Sequence, residues 1–333
     1  MLVVGTTVYM YGRPAAREAR GGRGGPAPRR GAAGRRRGEA QAAYELVVMA
    51  ALSLFAASWP YSSWPVTFAC CSGGVSNILY SFGLGYGLSM TANAGISYGL
   101  AAARVAATAA DGAPTAFGLA GCGLYGVYGV RLSTFLWRRQ SDSSYAPKFA
   151  SVQERSDSMS LFKKLAIVAG VSLSQALYVL PLRLATLFPA PAPGLRSSLG
   201  WAGVGLACAG LLLEAVADEQ KLAAKRRDPK APVTSGLYSV CRHPNYLGEI
   251  MFHVGVLGLA AGGSGITQVA VASIAPLFMV SVMVGAAKRL DKDGTEKYGD
   301  DPAWLAYAES TPALVPFFGT GSRSSSAGTK KQL

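Results

Sequence analysis

Charge is scarce in this sequence. Asp, Glu, Lys and Arg make up 15% of the 333 residues, and none of them occurs between Leu46 and Ala103. Hydrophobic residues make up 50% of the chain. Because about 20 apolar residues cross a bilayer as a helix, the uncharged run alone can supply two or three crossings. The composition therefore argues against a pair of soluble domains and predicts an all-α, polytopic integral membrane bundle.

Histidine and cysteine are also too few for familiar frameworks. The two histidines cannot build a metal cluster at any familiar spacing, so no metal is expected. Five cysteines, an odd number with four of them in apolar stretches, imply no disulfide framework. No Gly-x-Gly-x-x-Gly follows a predicted strand, so a nucleotide here would not occupy a Rossmann site.

Acidic residues are outnumbered, and the net charge is +14. Residues 1–43 include nine arginines and no serine, which predicts a disordered basic tail and argues against a transit peptide. Residues 319–333 are predicted to be a second disordered tail. The other basic residues lie in loops between apolar segments, a pattern that membrane topology explains better than nucleic-acid binding.

Residues 44–318 are predicted to form one membrane domain. The loops 138–164 and 218–243 and the tail from Lys288 are basic, whereas the short loops 189–194 and 261–265 are uncharged. All the basic loops then fall on one side, as a cytosolic face requires. The second and third segments are weakly hydrophobic, so seven or eight spans are expected. The predicted segments are 44–64, 66–88, 89–110, 115–137, 161–188, 197–217, 245–262 and 266–287.

A polar cluster opens one of these segments, at residues 236–251. Pro244 suits the first turn of a helix, because its missing N–H would be unpaired there. A helix that begins at Pro244 carries Asn245, Glu249 and His253 on one face. A Glu inside a bilayer costs about 2.5 kcal/mol or more, so Glu249 should face a partner or a ligand.

More polar groups interrupt the apolar segments. Glu214, Asp218 and Lys221 follow i, i+4, i+7 and share a helical face, while Arg131 interrupts an uncharged span and needs an anionic partner. Cationic donors suit phosphates, and carboxylates suit ribose hydroxyls, so a phosphorylated nucleotide entering from the cytosol would use both. The candidate site residues are Arg131, Glu214, Asp218, Arg242, His243, Asn245, Tyr246, Glu249 and Tyr307.

Ordinary structural roles remain open for several of these residues. Asp218 could belong to a normal interfacial helix end, and Arg131 could simply pair with one of the acids. Asn245 and Glu249 could hydrogen-bond between helices. His243 could cap the next helix. For His253, alone on an apolar face, packing is the favoured interpretation.

Four motifs occur along the chain. They are Arg131–Arg139 (RLSTFLWRR), Glu214–Lys221 (EAVADEQK), Arg242–Glu249 (RHPNYLGE), and Lys297–Asp300 (KYGD) with Tyr307 and residues 311–317 (TPALVPF). In this order they resemble the steroid 5-alpha-reductase C-terminal domain superfamily, in particular its uncharacterised plant and bacterial branch. The motif RHPNYLGE by itself is shared with sterol reductases and, in looser form, with isoprenylcysteine methyltransferases. The resemblance covers about residues 121–318.

The resemblance implies a membrane enzyme that binds NADPH from the cytosolic side and transfers hydride to an activated carbon–carbon double bond of a lipid, steroid or isoprenoid. It implies that the positions Asp218, Asn245, Glu249 and Tyr307 line the cofactor. The substrate-side acid and tyrosine of the family come from the N-terminal half, and residues 44–110 show no convincing match. The catalytic residues are therefore left unassigned.

Two other functions remain open: an S-adenosylmethionine-dependent methyltransferase acting on a lipid or isoprenylcysteine, and a non-catalytic lipid-binding protein. The expected partners are a lipophilic small molecule and membrane lipids, without nucleic acid. Lys330 and Lys331 resemble the dilysine signal of endoplasmic reticulum proteins with a cytosolic C-terminus. That membrane is the expected location, with a plastid membrane as the alternative.

Overall fold

A computed structural model describes residues 63–108, 116–187 and 194–316, and within these ranges it contains helices and no strand. Two 3-10 turns, Ser72–Val75 and Gly236–Ser239, accompany the α-helices. The predictions for 1–43, for nearly all of 44–64, for 319–333 and for the dilysine signal lie outside these ranges. The α-helices are α1 (Ser63–Cys71), α2 (Ile78–Phe82), α3 (Leu84–Thr108), α4 (Ala116–Gln140), α5 (Ala146–Asp157), α6 (Leu161–Tyr178), α7 (Leu180–Leu187), α8 (Leu195–Arg227), α9 (Pro244–Gly263), α10 (Ile266–Ala272), α11 (Ile274–Tyr298) and α12 (Pro302–Ser310).

Four helical segments in the described ranges are long and apolar enough to cross a membrane. Each lies where the sequence predicts one, although α8 and α11 continue about three turns beyond the predicted ends. The chain thus has the helical segments of an integral membrane protein. The four segments are Leu161–Leu187, Leu195–Arg227, Pro244–Gly263 and Ile266–Tyr298.

The prediction for residues 66–110 needs correction. Instead of two spans that meet near residue 88, the chain forms the short helices α1 and α2 and then α3, which runs unbroken across that point. The Asn77 side chain accepts the N–H of Leu79 and starts α2, and Gly83 ends it. Capping therefore moves the helix boundary to residues 83–84. The predicted segment 115–137 forms the helix α4, which is not among the four membrane-length apolar segments.

Helices α8 and α9 pack with almost no side chain between them. A Cβ atom added to Gly210 would lie 2.5 Å from the carbonyl oxygen of Gly248, and one added to Gly255 would lie 2.4 Å from the amide nitrogen of Ala207. Small residues let helix backbones approach this closely, as in membrane helix pairs. The same contact sets Gly248 beside the backbone of Glu214, so it brings the two predicted acidic helix faces together.

Aromatic side chains join α3 and α4 to α9. The ring of Tyr128 stacks on Phe252 with centroids 4.2 Å apart, and Tyr86 meets Tyr128 edge-on at 5.9 Å. All three side chains are buried. Edge-to-face and offset stacked pairs are favourable beyond the area that they bury. This packing carries two tyrosine hydroxyls to the polar face of α9.

The ends of α4, α8 and α11 meet the start of α9 at one end of the bundle. There Arg138 pairs with Glu219 at 2.6 Å, and Arg226 pairs with Asp142 at 2.6 Å. We call this the basic end, because α8 closes with Lys225, Arg226 and Arg227.

Candidate functional site

Arg131 of α4 joins the two acids that the sequence places on one face of α8. Its Nη1 donates to Glu214 Oε1 at 2.8 Å, and its Nη2 donates to Asp218 Oδ2 at 2.5 Å. Both acids are buried. The anionic partner that Arg131 was expected to need is therefore supplied twice. Asn245, in the first turn of α9, donates through Nδ2 to Asp218 Oδ1 at 3.3 Å.

One turn deeper, the carboxylate of Glu249 is surrounded by hydroxyl and imidazole groups. Tyr128 donates to Oε2 at 2.5 Å, and Tyr86 donates to Oε1 at 3.0 Å. His253 Nε2 lies 3.2 Å from the same Oε1 and 2.9 Å from the Tyr86 hydroxyl oxygen. His253 is thus part of a polar network and is not, as the sequence suggested, alone on an apolar face.

The two groups of acids meet where α8 and α9 touch. Gly248 lies against the backbone nitrogen and the Cβ of Glu214, so the side chains of Glu214 and Glu249 are neighbours. One continuous network therefore runs from Asp218 through the Glu214–Glu249 pair to Tyr86 and His253.

Three polar atoms of this network have no hydrogen-bond partner. Glu214 Oε2, Asn245 Oδ1 and His253 Nδ1 are buried and unsatisfied. Leaving such a group unpaired costs about 1–3 kcal/mol, so each one is available to a polar ligand that would remove the cost. We call Arg131, Glu214, Asp218, Asn245, Glu249, Tyr86, Tyr128 and His253 the buried network.

The other predicted residues form a separate structure at the basic end. Arg242 donates through Nε and Nη2 to Asp291 at 3.0 and 2.8 Å, and through Nη1 to the carbonyls of Ala308 and Thr311. His243 Nε2 lies 2.8 Å from Asp291 Oδ1. His243 stands at the N-cap of α9, but its side chain makes no capping hydrogen bond.

This second group fastens the segment after α12 to the start of α9. The backbone N–H groups of Arg242 and His243 donate to Pro312 and Ala313 at 2.9 and 3.0 Å. Tyr307 donates through its hydroxyl to the carbonyl of Tyr238 at 2.7 Å, and burial raises the pKa of Tyr307 to about 12, which keeps that hydroxyl a donor. We call these contacts the terminal clasp.

The nine predicted residues thus divide between two structures. Arg131, Glu214, Asp218, Asn245 and Glu249 belong to the buried network. Arg242, His243 and Tyr307 belong to the terminal clasp, and Tyr246 stacks on the ring of His243 at 5.6 Å. All three cations expected at a common anion site are bound by acids or carbonyls of the chain itself.

Besides His253, three members of the two structures were not predicted as site residues. Tyr128 lies one turn before Arg131 on α4, a local spacing that could have pointed to it. Tyr86 of α3 lies in the uncharged stretch where no tyrosine matching the reductases was found. Asp291 sits among the basic residues of α11, without a local signal. In the described ranges, no three His, Cys, Asp or Glu side chains are arranged to hold a metal ion.

A curated relative matches part of the chain. The cobalt-zinc-cadmium resistance protein CzcN of Cupriavidus metallidurans is 33% identical over 119 residues, which are 36% of this chain and 48% of that protein. The chain thus spans about half the length of this relative. No solved structure matches the sequence.

A family profile covers most of the bundle. It matches residues 95–311, which include all nine predicted site residues and begin nine positions after Tyr86. The match extends from the middle of α3 to the terminal clasp and includes the four membrane-length segments. The chain belongs to the family described as "Protein of unknown function (DUF1295)".

Proposed function

We propose that the protein is a membrane-embedded, NADPH-dependent reductase of an activated carbon–carbon double bond in a lipid, steroid or isoprenoid. The observation that carries the proposal is the Tyr86 hydroxyl, which is buried between Glu249 Oε1 at 3.0 Å and His253 Nε2 at 2.9 Å. Reduction of a polarised alkene needs a hydride at one carbon and a proton at the other, so a buried, oriented acid is required. Tyr86 has the geometry of that acid.

The chain also fits the cofactor in its polar groups. Asn245 Oδ1, in the first turn of α9, and Glu214 Oε2 are buried acceptors without donors. Carboxylate and amide oxygens at this position suit the hydroxyl and amide groups of a nucleotide. When bound, the cofactor supplies the hydride. Asp218, held by Arg131 and Asn245, keeps its oxygens fixed beside these acceptors.

The residues around Tyr86 have distinct tasks in this proposal. Tyr86 gives its hydroxyl proton to the substrate carbon that does not receive the hydride. Glu249 and His253 hold the Tyr86 hydroxyl in position from two sides, and water restores the hydroxyl proton after the product leaves. Tyr128 holds the second oxygen of Glu249 and keeps that carboxylate from turning away. The burial of all four side chains excludes water from the proton transfer.

The membrane setting follows the same proposal. A lipophilic substrate would reach Tyr86 from the bilayer, between the seven or eight spans that the sequence predicts. The terminal clasp and the basic end would face the cytosol, with the endoplasmic reticulum as the proposed membrane and a plastid membrane as the alternative.

The test is thermal unfolding of the full-length protein in detergent with NADPH, NADH or S-adenosylmethionine. A ligand at 100 times its dissociation constant stabilises the fold by about 2.7 kcal/mol, which is a clear shift in Tm. Stabilisation by NADPH, together with NADPH oxidation on addition of enone steroids or isoprenoids, supports the reductase. A response to S-adenosylmethionine alone indicates the methyltransferase instead. No response to any of the three indicates a non-catalytic lipid-binding protein.

A further inference from the structure

Four cations at the basic end have no acid of their own. Their neighbours are paired: Arg138 with Glu219, Arg226 with Asp142 and Arg242 with Asp291. Among the described residues, none of the four forms an ion pair, although they come from four different helices. We call them the four-cation cluster: Arg139 of α4, Lys148 of α5, Lys221 of α8 and Arg289 of α11.

Aromatic rings hold two of these cations in place. The guanidinium carbon of Arg139 lies 5.6 Å from the ring of Phe135 and 4.9 Å from the ring of Tyr145. Its Nε is buried and has no hydrogen-bond partner. Lys221 Nζ lies 5.9 Å from the ring of Tyr238. Cation–π contacts fix the positions of these charges but neutralise neither of them.

The cations lie near one another at this end of the bundle. Arg139 stacks on Tyr145, three residues before Lys148. Its neighbour Arg138 pairs with Glu219, two residues before Lys221. Burial and the charges of Arg139 and Arg289 lower the pKa of Lys148. Lys221 in turn lies within reach of the charges of Arg139 and Lys148. Like charges gathered in this way destabilise the fold unless an anion joins them.

The nearby acids do not fill that role. Asp218 attracts the charge of Lys221 electrostatically, but its carboxylate is already bound by Arg131 and Asn245. Asp293 acts on Lys148 from α11 without forming an ion pair with it. Lys148 and Arg289 both keep exposed surface, although neighbouring groups partly desolvate the Lys148 ammonium, so the cluster is open to a ligand from the aqueous side.

The cluster also adjoins the buried network. Arg289 lies two residues before Asp291, which contacts His243. The His243 ring stacks on Tyr246, which follows Asn245 in the first turn of α9. Asn245 carries one of the unsatisfied acceptors described above. A ligand that spans the two places would have several negative charges at the four-cation cluster and neutral polar groups at Asn245 in the buried network.

We propose that the four-cation cluster is a binding site for the phosphate groups of a ligand that enters at the basic end. Guanidinium groups match phosphate oxygens in pairs, and lysines add point charges, so a multiply charged phosphate suits the set better than a single carboxylate. The identity of the ligand rests on the proposed function, under which these are the phosphates of NADPH. A phospholipid headgroup carries the same chemistry and is distinguished by the experiment.

The experiment measures binding of NADPH, inorganic pyrophosphate and phosphatidic acid to the full-length protein and to the variants Lys148→Gln and Arg289→Gln. Both side chains are exposed, so the variants should fold. Lys292→Gln is the matched control. Lys292 is also exposed and lies on α11, three residues after Arg289, but unlike the cluster residues it pairs with an acid, Glu296, at 3.6 Å. We expect each cluster variant to bind NADPH and pyrophosphate about tenfold more weakly, which corresponds to the loss of one charge-assisted contact. The control should bind both as the native protein does, and added salt should weaken native binding most.

The outcomes separate this inference from the proposed function. If NADPH binds the native protein and both cluster variants equally, the cluster is not the phosphate site, and the reductase proposal stands. If pyrophosphate or phosphatidic acid binds in a cluster-dependent way and NADPH does not, the phosphate site stands and the reductase proposal falls. Preference for phosphatidic acid over pyrophosphate assigns the site to a lipid headgroup. If none of the three ligands binds the native protein, the inference is overturned.

Discussion

Tyr86 and Glu249 are separated by 163 positions in the chain, yet the hydroxyl of one donates to the carboxylate of the other at 3.0 Å inside the bundle. The contact depends on two packing events. Edge-on packing of Tyr86 against Tyr128 carries the hydroxyl to α9, and the close approach of α8 to α9 sets Glu249 beside Glu214. Any function of the buried network therefore requires the N-terminal helices and the C-terminal half together.

Replacement of Tyr86 tests the assignment of the proton donor. We expect Tyr86→Phe to bind NADPH as the native protein does but to lose nearly all NADPH oxidation with an enone substrate, because the ring stays and the acidic hydroxyl goes. Unfolding should become easier by about 1–3 kcal/mol, since Glu249 loses a donor. Tyr98→Phe is the control, because Tyr98 lies on the same helix and is 58% exposed. Equal turnover by Tyr86→Phe and native protein would remove Tyr86 from the mechanism.

The ion pairs of Arg131 and Arg138 should differ greatly in their contribution to the free energy of unfolding. Arg131→Gln leaves Glu214 and Asp218 buried without a cation, and we expect a loss of about 3–5 kcal/mol in the free energy of unfolding. Arg138→Gln breaks a pair whose side chains are 45% and 49% exposed, and the expected loss is below about 1 kcal/mol.

Chemical denaturation of the two variants in the same detergent measures this difference. The triple variant Arg131→Gln/Glu214→Gln/Asp218→Asn should regain part of the lost stability, because no buried charge then lacks its partner. Similar losses for the Arg131 and Arg138 single variants would mean that water reaches Glu214 and Asp218.

Local spacing predicted the part of the site that lies on single helices. Pro244 begins α9 as expected, and Asn245, Glu249 and His253 follow one another along its face. Arg131 needed an anionic partner because a lone charge in an apolar span is costly, and Glu214 and Asp218 supply it. These expectations depend only on helix periodicity and on the cost of burying charge.

Contacts between distant helices could not be predicted in the same way. In the sequence, Tyr86 is one aromatic residue among apolar ones, and its sequence neighbours do not indicate that it will hydrogen-bond to Glu249. Arg242 was expected to face a ligand at the start of the helix. Instead, two of its nitrogens donate to Asp291, 49 positions later in the chain. The sequence alone shows that a charged residue in an apolar segment requires a partner, but tertiary packing determines which residue that partner is.

The terminal clasp should depend on the shape of the Arg242 side chain as well as on its charge. Arg242→Lys keeps the charge but cannot contact Asp291 and two carbonyls together, because an ammonium lacks the planar fork of guanidinium. We expect faster hydrogen exchange of the backbone amides of Arg242 and His243, which donate to residues 312 and 313. Exchange across Glu249 and His253 should stay slow. Arg226→Lys, at an exposed pair, is the control, and equal protection in both variants would show that the clasp needs only charge.

The contact between α8 and α9 gives the sharpest test of how the buried network is positioned. An alanine at Gly248 would bring its Cβ within 2.6 Å of the backbone nitrogen of Glu214 and of the carbonyl oxygen of Gly210, a distance that backbone atoms cannot relieve without moving the helices apart. We expect Gly248→Ala to lower the free energy of unfolding by about 3 kcal/mol or more, in the range of a strongly overpacked core. The separation would also pull Glu249 away from Glu214, so binding of NADPH should weaken in the protein that remains folded.

Gly205→Ala is the matched control, because Gly205 lies on α8 with nothing within 4 Å of an added Cβ. There the better helix propensity of alanine should leave stability unchanged or raise it by about 1 kcal/mol. If the two alanine variants unfold at the same temperature, the helices are not held at the distance on which the buried network depends.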